Sequence, residues 1–473
     1  MIFNEIKKFL SSNLSNHECL TLNFEFKNFE DTESQQISTA LSLCTNLKRI
    51  ILNLQHSRIT EQRTNDLISG LIKCRNITEF QINLSSDKNL KIQTVINLLN
   101  QLSFTNQITI LKLNLVDNNI CDSEIYNIGE SLSQLTFLTS LQLKLDCNNL
   151  GDKVYDCLQF RDTVLTQMVQ LDLCFSFCKI GVVGAIELSN KLALFKNLEQ
   201  LNLNLRQNQI ESRGLCQLSE TLKILSLLKY LNLFLTFNSI SDEGLFCLSL
   251  SLESLNYLKA LELFVEDNKL TTESYLKLFC SLKKCQSLVK LELDISSIEI
   301  AKLQDFGDYI AFLTGIQQFN LYLSESSIND EVLSDLSKGL SQCISLQKLL
   351  LYLSENTISS LGIHELTFAL QKLPHLYDLS LFLEKNLIEE EGAKSLGKGL
   401  MQFKKLKVLE IWIESNKINY EGMTSLIDST LQCKDINILN LYLNHYQLNQ
   451  GIAGYQRKAL KSKKLVQFII EVM

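Results

Sequence analysis

The amino-acid sequence predicts an α/β solenoid in which a strand, a turn and a helix recur about every thirty residues. Three observations predict this fold: an alternating apolar pattern, a recurring asparagine after it, and a glycine followed by apolar residues at helical spacing. The unit is clearest in residues 198–210, which read L-x-x-L-x-L-x-L-x-x-N-x-I. Its first residue, the lead position, recurs at His17, Leu47, Ile77, Ile108, Leu138, Met168, Leu198, Leu228, Leu258, Leu288, Ile316, Leu346, Leu376, Leu406 and Ile436.

The alternating segment predicts a strand with one buried face. Positions +3, +5 and +7 from the lead are apolar in all fifteen full units, as at Leu201, Leu203 and Leu205. Side chains alternate between the two faces of a strand, so this spacing places the apolar residues on one face. A sixteenth, partial unit begins at Leu465.

Polar and small residues after the strand predict a turn and then a helix. Position +10 is asparagine in eight units, where an amide can bond backbone groups of adjacent units. Position +16 is glycine in six units, and apolar residues then return at helical spacing, as at Leu215, Leu218 and Leu222.

Successive strands must therefore pair in parallel, and the sheet must curve. A helix is about 10 Å wide whereas neighbouring strands are about 5 Å apart, so the strands should line a concave face and the helices a convex one. We predict one right-handed horseshoe domain over residues 1–473. It should comprise a capping helix at 1–16, about fifteen repeats at 17–464 and a terminal strand at 465–473.

The repeat resembles the ribonuclease-inhibitor-like class of leucine-rich repeats, in its L-x-x-L-x-L run, its Asn/Cys position and its later glycine. The likeness covers almost the whole chain, which adds one polar–apolar pair before the asparagine turn. We therefore expect longer strands and a wider sheet than is usual in that class. The resemblance implies a horseshoe that binds proteins and has no catalytic activity.

Composition indicates which classes of partner and which cellular compartment are expected for this protein. The net charge of −7 argues against general nucleic-acid binding, although Arg457, Lys458, Lys461, Lys463 and Lys464 form a local basic cluster, expected on a last helix. The chain contains no run of eighteen apolar residues, so the sequence predicts no membrane-spanning helix. Several of the fourteen cysteines occupy positions of the repeat, which favours buried thiols in a reducing, cytoplasmic compartment.

No pattern in the chain predicts catalysis, a cofactor or a metal. Residues 392–399 resemble a phosphate-binding loop, but Gly399 stands where magnesium binding needs Ser or Thr. The five histidines lie in different units, and the cysteines lack the C-x-x-C spacing of zinc sites.

One column of strand residues predicts the functional surface. Position +6 is not aromatic in the first seven units but is aromatic in seven of the next eight. Acidic residues flank this column at +4 and +8, and Asp294 interrupts it. The predicted partner-binding residues are Phe234, Phe264, Tyr322, Tyr352, Phe382, Trp412, Tyr442, Glu262, Glu266, Glu292, Asp294, Glu384, Glu410 and Glu414.

Two interpretations of the aromatic column are open at this stage. It could bind a protein with exposed apolar and basic groups, since aromatic residues dominate many interfaces and attract cations. Alternatively, the rings could only stack on one another and stabilise the sheet. The asparagines at +6 in the first units predict a ladder of amide hydrogen bonds in preference to a recognition surface.

The function predicted from these features is a protein-interaction scaffold or assembly subunit, such as one of a cytoskeletal or axonemal (ciliary) complex. An inhibitor of a basic enzyme is a narrower version that the resemblance implies. Regulation of a small GTPase is an alternative, because Ran-activating proteins share this repeat type. Those proteins carry a long acidic tail, whereas this chain ends in lysine-rich sequence followed by Phe468, Ile469 and Ile470.

Overall fold

A computed structural model of the chain describes residues 1–27, 30–57, 60–86, 90–105, 107–297, 306–433, 435–443, 455 and 465–472. These residues form two compact units, Met1–Ile240 and Ser241–Met473. Both units are built from parallel strands that alternate with helices, which confirms the predicted α/β solenoid.

The first unit contains nine described strands, each paired in parallel with the next along the chain. Its strands are β1 (Ile2–Phe3), β2 (Cys19–Asn23), β3 (Arg49–Asn53), β4 (Glu79–Asn83), β5 (Ile110–Asn114), β6 (Ser140–Lys144), β7 (Gln170–Cys174), β8 (Gln200–Asn204) and β9 (Tyr230–Phe234). Its α-helices are α1 (Ile6–Leu10), α2 (Asp31–Ser42), α3 (Glu61–Leu71), α4 (Ile92–Thr105), α5 (Asp122–Leu132), α6 (Asp162–Gln167), α7 (Val182–Leu192) and α8 (Glu211–Ile224). Two 3₁₀-helices span Leu14–Asn16 and Gly151–Leu158.

The second unit repeats this arrangement with eight described strands, again all parallel. Its strands are β10 (Ala260–Phe264), β11 (Lys290–Asp294), β12 (Gln318–Tyr322), β13 (Lys348–Tyr352), β14 (Asp378–Phe382), β15 (Val408–Trp412), β16 (Ile438–Leu443) and β17 (Gln467–Val472). Its helices are α9 (Asp242–Leu252), α10 (Thr272–Leu282), α11 (Phe306–Ala311), α12 (Asp330–Leu340), α13 (Ser360–Leu370), α14 (Glu390–Leu400) and α15 (Tyr420–Gln432).

The two faces of each sheet differ in burial as the alternation predicts. Leu201 and Leu203 are 0% exposed and Leu205 is 2% exposed, whereas the intervening Asn202 and Asn204 are half-buried. Strands pair in register with the repeat, so each column of equivalent residues runs straight across a sheet. We call the half-buried face, formed by positions +2, +4, +6 and +8, the open face.

The asparagine at +10 joins adjacent repeats, as predicted. The Asn208 amide nitrogen donates to the carbonyl oxygens of Phe175 and Leu205, both at 2.9 Å. Its Oδ1 atom accepts from the backbone N–H groups of Cys178 and Ile180. One side chain thus satisfies buried backbone groups of two repeats, which would otherwise be costly to bury.

The residue before this asparagine, at position +9, adopts a left-handed backbone conformation throughout the described units. Phe177, Gln207 and Glu355 illustrate the range of residue types, with φ values of 57°, 51° and 58°. These residues turn the chain out of the strand, and most are neither glycine nor asparagine. The hydrogen bonds around +10 therefore stabilise a conformation that most side chains disfavour.

A carboxylate at +14 caps the helix of the following repeat in several units. Asp330 accepts hydrogen bonds from the N–H groups of Ser359 and Gly362 at 2.8 and 3.0 Å. Asp152 accepts from Gly181 and Gly184 at 2.8 and 2.9 Å. Such carboxylates satisfy the unpaired N–H groups of a helix start and interact favourably with its dipole.

Twelve of the fourteen cysteines are free. Cys74, Cys285 and Cys343, three residues before a lead position, each donate to a helix carbonyl of the preceding unit. Cys74 Sγ lies 3.1 Å from the Leu41 oxygen, and burial raises the pKa of this thiol to about 12. Cys178 replaces the turn asparagine and donates to the Leu145 oxygen at 3.1 Å. Cys216 and Cys247 depart from the prediction of free thiols, because each is disulfide-bonded.

The first sixteen residues form more than the single capping helix that we predicted. Strand β1 adds a short edge to β2, and α1 follows with Ile6 and Phe9 buried. The predicted basic last helix around Lys458 lies outside the described residues. Residues 298–305, in the shorter repeat that begins at Leu288, also lie outside them. Within the described ranges, no helix is both long and apolar enough to cross a bilayer.

Candidate protein-binding surface

The aromatic side chains of the second unit form a continuous stack along the open face. Ring centroids lie 4.5 Å apart for Tyr322 and Tyr352, 3.8 Å for Tyr352 and Phe382, 5.6 Å for Phe382 and Trp412, and 3.6 Å for Trp412 and Tyr442. The planes of these successive rings differ by at most 22°. We call these five residues the aromatic ladder.

The ladder forms because strand register places equivalent residues directly opposite each other. Tyr352 pairs with Phe382, and Phe382 pairs with Trp412. Parallel strands are about 4.8 Å apart, which is close to the separation of two stacked rings. Phe382 is buried at 9% exposure and the other four rings are half-buried.

Asp294 interrupts the column at β11, as the sequence predicts. Its carboxylate accepts a hydrogen bond from the backbone N–H of Ser296 at 3.0 Å. Phe264 on β10 nevertheless contacts Tyr322 on β12, with centroids 5.7 Å apart and planes tilted by 51°. The short aspartate therefore leaves room for the two rings to meet across it.

Carboxylates on one side of the ladder, at +4, already have partners. Glu292 accepts from the Tyr322 hydroxyl at 3.0 Å and from the Asn320 amide at 2.9 Å. Glu410 accepts from the Trp412 indole N–H at 3.0 Å. Glu262 forms an ion pair with Lys290. These contacts hold the aromatic rings and their acidic neighbours in fixed positions.

Carboxylates on the other side, at +8, are in a less favourable environment. Glu384 accepts a hydrogen bond from the Ser354 hydroxyl, but burial and the nearby charge of Glu414 raise the pKa of its carboxyl. The Oε2 atom of Glu414 is buried and has no hydrogen-bond partner among the described residues. Glu266, the third predicted acid at this position, is half-buried and lies two residues after the end of β10.

The tyrosines of the ladder remain protonated, and the neutral Tyr322 hydroxyl donates a hydrogen bond to Glu292. Burial and the charge of Glu292 raise the pKa of Tyr322, and burial followed by the charges of Glu410 and Glu384 raises that of Tyr352. The negative charge of this surface therefore comes from the glutamates.

Stacking changes which part of each ring a partner can touch. The ladder rings cover one another's faces, so mainly their edges remain accessible. A cation binds over the face of a ring, so the expected aromatic–cation contacts are blocked within the stack. Basic groups of a partner would meet the glutamates, and its apolar groups would meet the ring edges.

The first unit contributes one predicted residue and a different surface. Phe234, at the end of β9, has the Arg206 guanidinium 4.8 Å from its ring centroid, a contact that the sequence analysis missed. At the same column in earlier repeats, the Asn53 amide donates to Asn23 and the Asn83 amide donates to Asn53, at 2.8 and 3.0 Å. These bonds form the amide ladder expected from the sequence.

The structure places the other sequence motifs in structural roles. Residues 392–399 lie within helix α14, where Lys394 pairs with Glu390 and Glu421. Among the described residues, no group of three or more His, Cys, Asp or Glu side chains is placed to hold a metal ion.

Comparison with known proteins finds no matching family model and no matching curated protein. A leucine-rich-repeat protein of Leptospira interrogans is 18% identical, with 97% of this chain and 98% of that chain covered and a TM-score of 0.45. A structure of the yeast Rad7 and Elc1 complex is 14% identical, with 74% of this chain and 78% of that chain covered and a TM-score of 0.46. Neither likeness supports an inference about function.

The repeating strands and helices by themselves establish an α/β solenoid, and its units are consistent with leucine-rich repeats. The ribonuclease-inhibitor-like subclass stays a prediction.

Proposed function

We propose that this protein is a non-catalytic interaction scaffold whose aromatic ladder binds a protein partner carrying lysine or arginine beside apolar side chains. The single observation that carries the proposal is the unbroken stack from Tyr322 to Tyr442 with glutamates on both sides. Interface cores are enriched in aromatic residues, and stacked rings lose little entropy when a partner binds.

Charge supports a basic partner over an acidic one. Glu384 and Glu414 lie on adjacent repeats, and burial raises the pKa of the Glu384 carboxyl. The buried Glu414 Oε2 atom has no hydrogen-bond partner among the described residues. A lysine or arginine placed beside these two glutamates would relieve their repulsion. An assembly subunit and an inhibitor of a basic enzyme would both use such a surface.

The ladder also stabilises the sheet, so the test must separate binding from folding. We would immobilise the full chain and compare proteins captured from native lysate by wild type and by the Tyr352→Ala/Trp412→Ala variant. A matched control is Phe368→Ala/Tyr420→Ala, because these aromatic residues are 56% and 51% exposed outside the ladder. Circular dichroism would establish that all three proteins are folded.

We expect the ladder variant to lose at least one specific partner that wild type and control retain. Removing two central aromatic residues should weaken that interaction by about 100-fold, given the usual size of hot-spot effects. The lost partner should also dissociate as salt concentration rises, since glutamates contribute to binding. An unchanged set of partners from a folded ladder variant would show that the rings only stabilise the sheet.

A further inference from the structure

A cavity of about 460 Å³ lies at the edge of the second unit where strands β14, β15 and β16 begin. It is lined by residues of three consecutive repeats, all within two residues of the lead position. They are His375, Tyr377, Lys404, Lys405, Lys407 and Asn437, together with one acid, Asp435. A second cavity, of about 390 Å³, shares Lys404 and Lys405 and adds Lys372.

The lysines of this cavity have no acidic ion-pair partner among the described residues. Lys404, Lys405 and Lys407 are exposed, and none forms an ion pair within the part of the chain that the structure describes. Three positive charges thus face a single carboxylate from Asp435. This local excess of positive charge stands out in a chain whose net charge is −7.

Equivalent lysines in the first unit form ion pairs with glutamates, whereas Lys407 has no glutamate at the corresponding position. Lys48 and Lys229 occupy the same position of the repeat as Lys407, one residue after the lead. Each pairs with a glutamate one repeat earlier: Lys48 with Glu18 at 3.0 Å and Lys229 with Glu199 at 2.7 Å. The corresponding residue for Lys407 is Tyr377, which carries no charge. Lys407 therefore lacks the acid that pairs with the equivalent lysines of the first unit.

Hydrogen-bond donors outnumber acceptors in the cavity lining. The Lys405 ammonium lies 3.4 Å from His375 Nδ1, and an ammonium group can only donate. Nδ1 is then the acceptor, so the proton of the neutral ring lies on Nε2 and adds another donor. The Tyr377 hydroxyl and the Asn437 amide also offer N–H or O–H groups, so a ligand must bring acceptors and negative charge.

One loop of the cavity is stiffer than its equivalents. Pro374 is the single proline of the chain, and it lies in the turn between α13 and β14 that carries Lys372 and His375. In other repeats the residue at this position donates its N–H within the turn, as Lys196 does to Leu194. Proline has no such N–H and fixes φ near −65°, which limits the conformations of the loop in the absence of a ligand.

We propose that this cavity, the lysine cavity, binds the phosphate groups of a small anionic ligand. Phosphate oxygens accept several hydrogen bonds each, and lysine ammonium groups bind them as point charges. A cavity of this volume lies within the range of ordinary small-molecule sites. The phosphate groups could belong to a soluble molecule or to a lipid headgroup at a membrane surface. This proposal is independent of the aromatic ladder, which attracts the opposite charge.

Calorimetric titration of the full chain with inorganic triphosphate tests the shared chemistry. We expect saturable binding whose affinity falls as sodium chloride is raised from 50 to 200 mM, because the contacts are ionic. Lys405→Gln/Lys407→Gln should weaken binding by at least about tenfold, since two charge-assisted contacts are lost. Lys338→Gln/Lys417→Gln is the matched control, because it removes the same charge at exposed positions outside the cavity.

A second arm distinguishes the two sources of phosphate. Co-sedimentation with phosphatidylcholine vesicles, with and without phosphatidylinositol 4,5-bisphosphate, measures binding to a headgroup. Binding in either arm that the cavity variant loses and the control retains supports the site, and the arm in which it occurs identifies the source. No binding in both arms, or an equal loss in the control variant, would overturn the proposal. Lys404→Gln alone replaces the double variant if the latter fails to fold.

Discussion

At the scale of single residues, His17 shows how burial makes one side chain sensitive to pH. The ring is 4% exposed, its Nε2 atom lies 2.8 Å from the Ser12 hydroxyl, and its centroid lies 5.6 Å from that of Phe3. Burial lowers the pKa of His17, and the positive N-terminal ammonium of Met1 lowers it further. The folded N-terminal segment therefore favours the neutral ring.

We predict that the N-terminal segment loses stability as pH falls below about 6.5, the ordinary pKa of histidine. The unfolded segment takes up a proton there while the folded one resists it, so unfolding becomes easier at lower pH. Hydrogen exchange of the β2 amides between pH 7.5 and 5 would measure the effect. His17→Gln should flatten this pH dependence, whereas the exposed-site variant His364→Gln should keep it. Equal protection of β2 at both pH values in the wild type would contradict the prediction.

At the scale of elements, the turn asparagine is the residue that most clearly holds one repeat to the next. Asn208 bonds to backbone groups of Phe175, Leu205, Cys178 and Ile180. The same set of bonds recurs at Asn356, which donates to Leu323 and Leu353 and accepts from Ser326 and Ile328. In the repeats that carry this asparagine, one amide therefore bonds the strand end and the turn of its own repeat to the repeat before it.

We predict that Asn208→Ala lowers the free energy of unfolding by about 3 kcal/mol, because it leaves several buried backbone groups unpaired. Asn208→Cys should lower the free energy of unfolding less. Cys178 occupies the equivalent position one repeat earlier, and its thiol donates to the Leu145 oxygen, which is equivalent to the Phe175 oxygen bonded by Asn208. Urea unfolding followed by circular dichroism would compare them. The control Asn197→Ala removes an exposed amide and should change stability by about 0.5 kcal/mol or less. Similar losses for Asn208→Ala and the control would argue against this role.

Under the proposed function, the ladder would serve both folding and binding. Tyr352 and Trp412 gain stability from their neighbours through stacking, and the glutamates beside them carry the charge of the surface. Two of these acids, Glu292 and Glu410, accept hydrogen bonds from ladder residues. These bonds hold the rings in position, which would reduce the entropy lost if a partner binds as proposed.

At the scale of the whole molecule, stability should be distributed repeat by repeat. Among the described elements of the second unit, the extensive helix contacts join helices of consecutive repeats, and each strand pairs only with its immediate neighbours. A repeat array of this kind can open locally without unfolding entirely.

We predict that Leu351→Ala, which truncates a fully buried side chain of β13, destabilises its surroundings by about 3 kcal/mol. Hydrogen exchange measured by mass spectrometry should show faster exchange in β12, β13 and β14, while β16 keeps its protection. Leu361→Ala is the control, because this leucine is 61% exposed. Uniformly faster exchange over all strands of the second unit would show that the unit unfolds as one cooperative body.

Sequence alone determined the features that repeat. The hydrophobic period and the residue types predict strand position, strand direction, the buried face and the role of the turn asparagine. Because the unit recurs along the chain, each of these inferences rests on several copies. The aromatic column was visible for the same reason. Lys404, Lys405 and Lys407 are also adjacent in the sequence, but nothing in it indicated that they share a cavity.

Tertiary structure decided what the neighbours of each side chain are. The stacking of Trp412 on Tyr442, the hydrogen bond from Tyr322 to Glu292 and the grouping of Tyr377, Lys407 and Asn437 around one cavity all depend on residues about thirty positions apart. A repeat pattern fixes which residues share a column but not their rotamers or contacts. The packing of adjacent repeats decides whether the face of a ring is accessible and whether a lysine forms an ion pair.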